Sequence, residues 1–301
     1  ARAGDVEAGA AIVATRIDGI NYYEIENLAL RLGAGNDVFN IQGTTATTTV
    51  ATGDGDDRIY VSSTAAYGLP LSPTAERPDF LTGHLHDING ALDIDTGAGR
   101  AQLMISGEAS TLDNDDIVIS DRIGLGEPVG AEIAVRGLTG GDNAFGWVDL
   151  PQGLITYRAD AAGSFADGIT VWTGFGDDMV RIDGTHDRAG IRTVTTLNTG
   201  LGDDTVSVDL QVVEANGADT GDGVFVLNTQ GPWNDFAGRS DNDKVYGTGT
   251  DPLTGQPFAS TLPLVVFGGQ GDDLIIGGSG DDILFGDRGR MLRFEVVDGV
   301  A

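Results

Sequence analysis

GGQGDDLII, Gly268 to Ile276, runs without a gap into GGSGDDILF, Gly277 to Phe285. The period is nine, and each block reads as a glycine-aspartate turn followed by three apolar residues. A chain that reverses within so few residues must pass through positive φ, which glycine reaches without a Cβ penalty. Its backbone carbonyls then converge, and an aspartate at the exit adds the formal charge that a hard cation needs. A partial third copy, GDRGR from Gly286, keeps two glycines but has Met291 in place of the aspartate, so the array ends or changes there.

The same loop recurs upstream at wider spacing. LGAGND (Leu32 to Asp37), TGDGDD (Thr52 to Asp57), TGFGDD (Thr173 to Asp178) and TGLGDD (Thr199 to Asp204) are intact copies. Degenerate copies are LDND (Leu112 to Asp115), GPWND (Gly231 to Asp235) and GRSDND (Gly238 to Asp243), and TGAGRA (Thr96 to Ala101) lacks the carboxylate. After each loop the apolar residues alternate: Phe39 and Ile41, Ile59 and Val61, Val180 and Ile182, Val206 and Val208. Period two means strand, with Asn40, Tyr60, Arg181 and Ser207 on a wet face. Leu30, Val50, Ile94, Val171, Leu197 and Val266, three residues ahead of the first turn glycine, point inward as well.

Asp37 to Asp57 is 20 residues and Asp178 to Asp204 is 26, room for two short strands and two turns but no crossover helix. Helical patterning is nearly absent; Tyr22 to Leu32 fits a strand as well as a helix. The expected fold is therefore all-β, a parallel β-solenoid: a β-helix with enlarged coils that passes into a tight β-roll near the C-terminus. We expect one elongated unit over 1–301. Within it, 68–83, with Pro70, Pro73 and Pro78, reads as a protruding loop. Residues 107–168 read as enlarged coils or a small insertion, and 268–290 as tight nonapeptide repeats.

Composition points the same way. The chain carries 47 Gly, 46 acidic residues and 17 basic ones, with a net charge of -29, while apolar residues reach 40%. That is too much apolar content for simple disorder, and the charge disfavours nucleic acid and anionic membranes as partners. Cysteine is absent, so any staple must use oxygen ligands, which select calcium or magnesium over zinc. No apolar run approaches a membrane span, and the chain opens at Ala1 without a charged-then-apolar leader. It reads as a soluble mature piece or an excised fragment, and its last residues, DGVA, suggest that more protein follows.

The expected Ca²⁺ ligands are loop carbonyls plus aspartates: Gly33, Gly35 and Asp37; Gly53, Gly55 and Asp57; Gly174, Gly176 and Asp178; Gly200, Gly202 and Asp204; Gly269, Gly271 and Asp273; Gly278, Gly280 and Asp282. The degenerate loops add Asp113, Asp115, Asp235, Asp241 and Asp243. One turn supplies only part of the six to eight oxygens calcium prefers, so the ion should bridge coils. For Asp273 the loop nine residues on is expected to complete the shell. The bland reading of the same loops is that the aspartates merely cap strands through Asx-type hydrogen bonds.

GGQGDDLII and GGSGDDILF resemble the repeats-in-toxin family of hemolysin-type calcium-binding proteins. The resemblance implies a parallel β-roll in which the sixth-position aspartate, here Asp273 and Asp282, binds calcium with loop carbonyls. Asp37, Asp57, Asp178 and Asp204 follow by the same match. It also implies a secreted or cell-surface protein, exported unfolded without a cleaved N-terminal signal and folded by extracellular calcium. The role expected is structural or adhesive and not enzymatic, the partners being neighbouring repeats, surface glycans or another cell-surface protein. Trp147, Trp172 and Trp233 are candidate sugar-stacking aromatics.

Three rival readings carry less. Parallel β-helices also host polysaccharide lyases and epimerases, but His84, His86, His186, Tyr22 and Tyr23 are scattered and Lys244 is the one lysine. His84 and His86 share a strand face with Asp87 nearby, without a further metal ligand in view. The threonine runs at 44–52 and 192–199 suggest an ice-binding array, or ordinary β-propensity on an exposed face.

Overall fold

Strands of four or five residues, apolar on alternate positions and punctuated by glycine, cannot bury their apolar face alone; stacking on the next copy does it. The computed structural model describes residues 20, 22, 24–66, 81–124, 127–139, 153–212, 221–229, 241–250 and 255–287. Among them there is no α-helix, and the chain winds as a parallel β-solenoid.

The first coils run β1 (Asn27–Arg31) to β2 (Val38–Ile41), β3 (Thr47–Ala51) to β4 (Arg58–Val61), and β5 (Leu92–Asp95) through the short β6 (Gly99–Arg100) to β7 (Gln102–Ser106). An antiparallel meander follows: β8 (Ile117–Ser120), β9 (Ile133–Arg136) and β10 (Ile155–Arg158). Winding resumes with β11 (Gly163–Ser164), β12 (Ile169–Gly174), β13 (Met179–Ile182), β14 (Val194–Gly200), β15 (Thr205–Val208), β16 (Val224–Asn228) and β17 (Lys244–Tyr246). A hairpin of β18 (Thr248–Thr250) and β19 (Pro257–Ala259) stands off the coil before β20 (Leu264–Phe267), β21 (Leu274–Ile276) and β22 (Ile283–Phe285) close it.

These strands form two long walls. One is ten-stranded, in the order β1-β3-β5-β10-β9-β8-β13-β15-β17-β21; the other is eight-stranded and wholly parallel, β2-β4-β7-β12-β14-β16-β20-β22. Between them Val50, Ile59, Leu103, Val171, Val206, Phe225 and Val266 stack into one continuous core. The inward set predicted from alternation is that core, with Leu30 and Phe39 packed at its end.

Region 107–168 is where the two walls differ in strand number. Its β8 and β10 run with the sheet while β9 runs against it, which adds two strands to the ten-stranded wall alone. Two expectations fail outside the core. Tyr60 is 2% exposed, because Ala65 and Leu81 of the connection to β5 fold back over it beside Met104, and Ser207, also expected on the wet face, is 8% exposed. Of the segment expected to protrude, 68–83, residues 68–80 lie outside the described residues.

Candidate metal centre

The Gly-Asp turns occupy two different corners. LGAGND, TGDGDD and TGAGRA lead from the ten-stranded wall to the eight-stranded one; TGFGDD, TGLGDD and GGQGDD lead from the eight-stranded wall back to the ten-stranded one. GGSGDD lies at the first type of corner again, between β21 and β22. The tandem loops are thus half a coil apart, across the solenoid. This corrects the expectation for Asp273: the loop nine residues on cannot complete its shell, and its neighbour in the stack is the Asp243 loop, 30 residues back.

At the second corner the last aspartates form a ladder. Asp178 Oδ1 accepts from the Asn114 backbone N–H at 3.1 Å, Asp204 from that of Asp178 at 2.9 Å, Asp243 from Asp204 at 2.9 Å and Asp273 from Asp243 at 3.0 Å. A second ladder, one residue earlier in each loop, runs the opposite way along the stack. Asp113 Oδ1 accepts from Asp177 N–H, Asp177 from Asp203, Asp203 from Asn242 and Asn242 from Asp272, all at 2.8 or 2.9 Å. The Asx-capping alternative is therefore realised, but on one oxygen of each inner carboxylate.

The other oxygen is left over. Oδ2 of Asp178, Asp204, Asp243 and Asp273 is buried without a partner in hydrogen-bond geometry, although the Thr173, Thr199 and Thr229 hydroxyls lie close enough to the first three to favour their charged forms. Oδ2 of Asp241, whose Oδ1 faces the Gly202 N–H at 3.4 Å, is likewise without a partner. A buried carboxylate oxygen without a partner costs free energy that a bound cation offsets. Carbonyls stack in the same column. A Cβ on Gly202 would overlap Gly176 O, and one on Gly271 would overlap Asp241 O, so the loops approach as closely as glycine permits. No group of three or more His, Asp or Glu side chains among the described residues is arranged to hold a metal. A cation held here would have one or two carboxylate oxygens and loop carbonyls within reach, a donor set that fits calcium.

The first corner is shorter. Asp57 Oδ1 accepts from Asp37 N–H at 2.9 Å and its Oδ2 is buried without a partner. Asn36 and Asp56 begin the counter-ladder, accepting from Asp56 and Arg100 N–H groups. In the next coil Ala101 stands where the aspartate would, and the inner ladder ends. Asp282 differs from the rest, since Leu264 N–H donates to its Oδ1 at 2.9 Å and Gly278 N–H to its Oδ2 at 2.7 Å. Asp115 is exposed and stands one residue beyond Asn114, which holds the inner place in that loop. Asp235 lies outside the described residues. Sequence reading passed over Asn36 and Asn242 in the outer ladder; the signal was the Asx doublet in GND and DND.

Burial raises the inner carboxylates of the second corner: Asp178 to about 6, Asp241 to about 6, Asp204 to about 7 and Asp243 to about 9. Desolvation leads in each, and at Asp243 the facing Asp204 adds like-charge repulsion. A carboxylate raised in the folded state makes that state bind more protons than the unfolded chain, so metal-free stability falls as pH rises from about 4 to about 9. Calcium binds the deprotonated form, so its affinity rises over the same window. We therefore expect melts in chelator to give a higher midpoint at pH 5 than at pH 8, and melts in millimolar calcium the reverse order. Parallel pH slopes with and without calcium would contradict this account of the column.

Residues 265–290 match the family model of the RTX calcium-binding nonapeptide repeat, in 4 copies. Comparison with curated proteins and with solved structures gave no match. The coils that close this solenoid are thus similar to RTX calcium-binding nonapeptide repeats.

Proposed function

We propose that the chain is a calcium-locked structural segment of a secreted or cell-surface protein, holding adhesive surfaces apart or presenting one itself, without catalysis of its own. What carries the reading is the column of partnerless buried oxygens on Asp178, Asp204, Asp243 and Asp273, aligned along one corner with stacked carbonyls beside them. Sites built largely from carbonyls on glycine turns bind in the range of extracellular modules, about 10⁻⁴ to 10⁻³ M. Cytosolic calcium leaves such sites unfilled, which suits export of a loose chain and folding outside. Among the described residues no helix is long and apolar enough to cross a membrane.

The non-catalytic part of the proposal draws on where the candidate bases lie. His186 is buried and paired with Glu132 at 3.1 Å, while His84 stacks on His86 at 4.7 Å between ring centroids. Neither opens on the cleft described below.

The test is folding against free calcium. In chelator the like charges of the ladders leave the chain loose; each site filled at about 100 times its dissociation constant adds about 2.7 kcal/mol. Circular dichroism and melting in chelator and in millimolar calcium should differ strongly. Identical spectra and midpoints would overturn the proposal, and submicromolar affinity at every site would overturn its extracellular part.

A further inference from the structure

On the outer face of the ten-stranded wall, away from both aspartate corners, a cleft of about 280 Å³ opens between the meander, strands β13 and β15, and the β18–β19 hairpin. Its walls gather unusual groups for this chain. Two of the molecule's 17 basic residues, Arg122 and Arg181, converge there, and Phe258 and Gln256 face them from the hairpin. Ser207, beside Arg181 in the strand register, and Asp209 line the remaining side.

Both guanidinium groups stand beside Asp183, which lines the cleft with them. Asp183, whose side chain is only 3% exposed, lies 3.2 Å from Arg181 Nη1 and 3.7 Å from Arg122 Nη1. Arg122 keeps 67% of its side chain in water, so a ligand reaches it without breaking the fold. Arginine forks bind carboxylates in two-point geometry, and Arg181, ion-paired at 3.2 Å and largely buried, loses little entropy in doing so. Opposite them, the Asp209 carboxylate, the Ser207 hydroxyl and the Gln256 amide suit hydroxyl groups, while the Phe258 ring offers an apolar face. A ligand that satisfies all of these has one carboxylate, several hydroxyls and a ring with one C–H face. Fatty acids leave the hydroxyl partners unused, and a doubly charged phosphate meets about twice the repulsion from Asp183 and Asp209 that a single carboxylate meets.

We propose that this cleft is a binding site for a uronic-acid-type sugar residue. The assignment deepens the adhesive role proposed above by naming its ligand class, and it is independent of the calcium column. The experiment is calorimetric titration of the calcium-loaded full chain with methyl β-glucuronide and, in parallel, methyl β-glucoside. The glucuronide should bind about tenfold more tightly or better, and Arg122→Gln and Phe258→Ala should each weaken it about fivefold or more. Both residues lie at the surface of the cleft, so melting in calcium should not move. Equal binding of the two sugars, no binding of the glucuronide at about 20 mM, or glucuronide binding untouched by both variants would overturn the assignment. Calcium-dependent melting on the same samples separates the outcomes: if it persists while sugar binding fails, only the cleft assignment falls.

Discussion

Asp204→Asn should raise the melting midpoint in chelator and lower it in millimolar calcium. Asp204 is fully buried in the middle of the second-corner ladder, with Asp178 on one side and Asp243 on the other. Asparagine keeps the Oδ1 acceptor for the Asp178 N–H, so the ladder rung survives. What it removes is a carboxylate that burial pushes up to about 7 and that repels Asp178 and Asp241. Without metal, above neutral pH, that removal should stabilise by on the order of 2 kcal/mol. With calcium bound, the same change takes a charged ligand from the shell and should cost about 3 kcal/mol. Asp113→Asn, on the exposed outer ladder, keeps its acceptor too and should shift either midpoint by under about 1 kcal/mol. A shift of the same sign in both solvents would mean that Asp204 is a structural cap and no calcium ligand.

Much of this was legible in the residues. The alternation after each aspartate fixed which side chains enter the core, since a half-buried strand leaves no other use for Val180 and Ile182 or Val206 and Val208. Paired glycines and a terminal aspartate named the turn and its cation chemistry. The corner that each turn occupies was hidden, because a nine-residue period does not say whether nine residues are a coil or half of one. Only pairing decides it: β21 joins the wall of β17 while β22 joins that of β20. The shift of the motif from the first corner to the second was hidden for a related reason. It occurs across the meander, where the antiparallel β9 pairs with strands on both sides of it; periodicity marks such a strand but not its direction. Tyr60 looked wet since alternation places a side chain on a face without saying what covers that face.

Gly200→Ala should be the most damaging single methyl group added to the second corner. Gly200 sits at φ +95, and a Cβ there would overlap the carbonyl oxygen of Gly174 in the coil below. Two effects add. An L side chain at positive φ costs about 1 to 2 kcal/mol from its own backbone. The overlap is with main chain and not with a flexible tip, so relief requires one loop to rise off the other. The Gly174 to Gly200 register then opens, and the carbonyl column that completes a cation shell opens with it. We expect a loss of about 3 to 5 kcal/mol in saturating calcium, with weaker calcium binding at that corner. Gly190→Ala supplies the comparison, because Gly190 also has positive φ, +78, yet a Cβ there meets nothing within 4 Å. Its cost should stay near the conformational part alone, about 1 kcal/mol. Urea denaturation of both variants in calcium measures the difference directly. Equal losses would place the need for glycine in the turn conformation and take the close stacking of loops out of the calcium site.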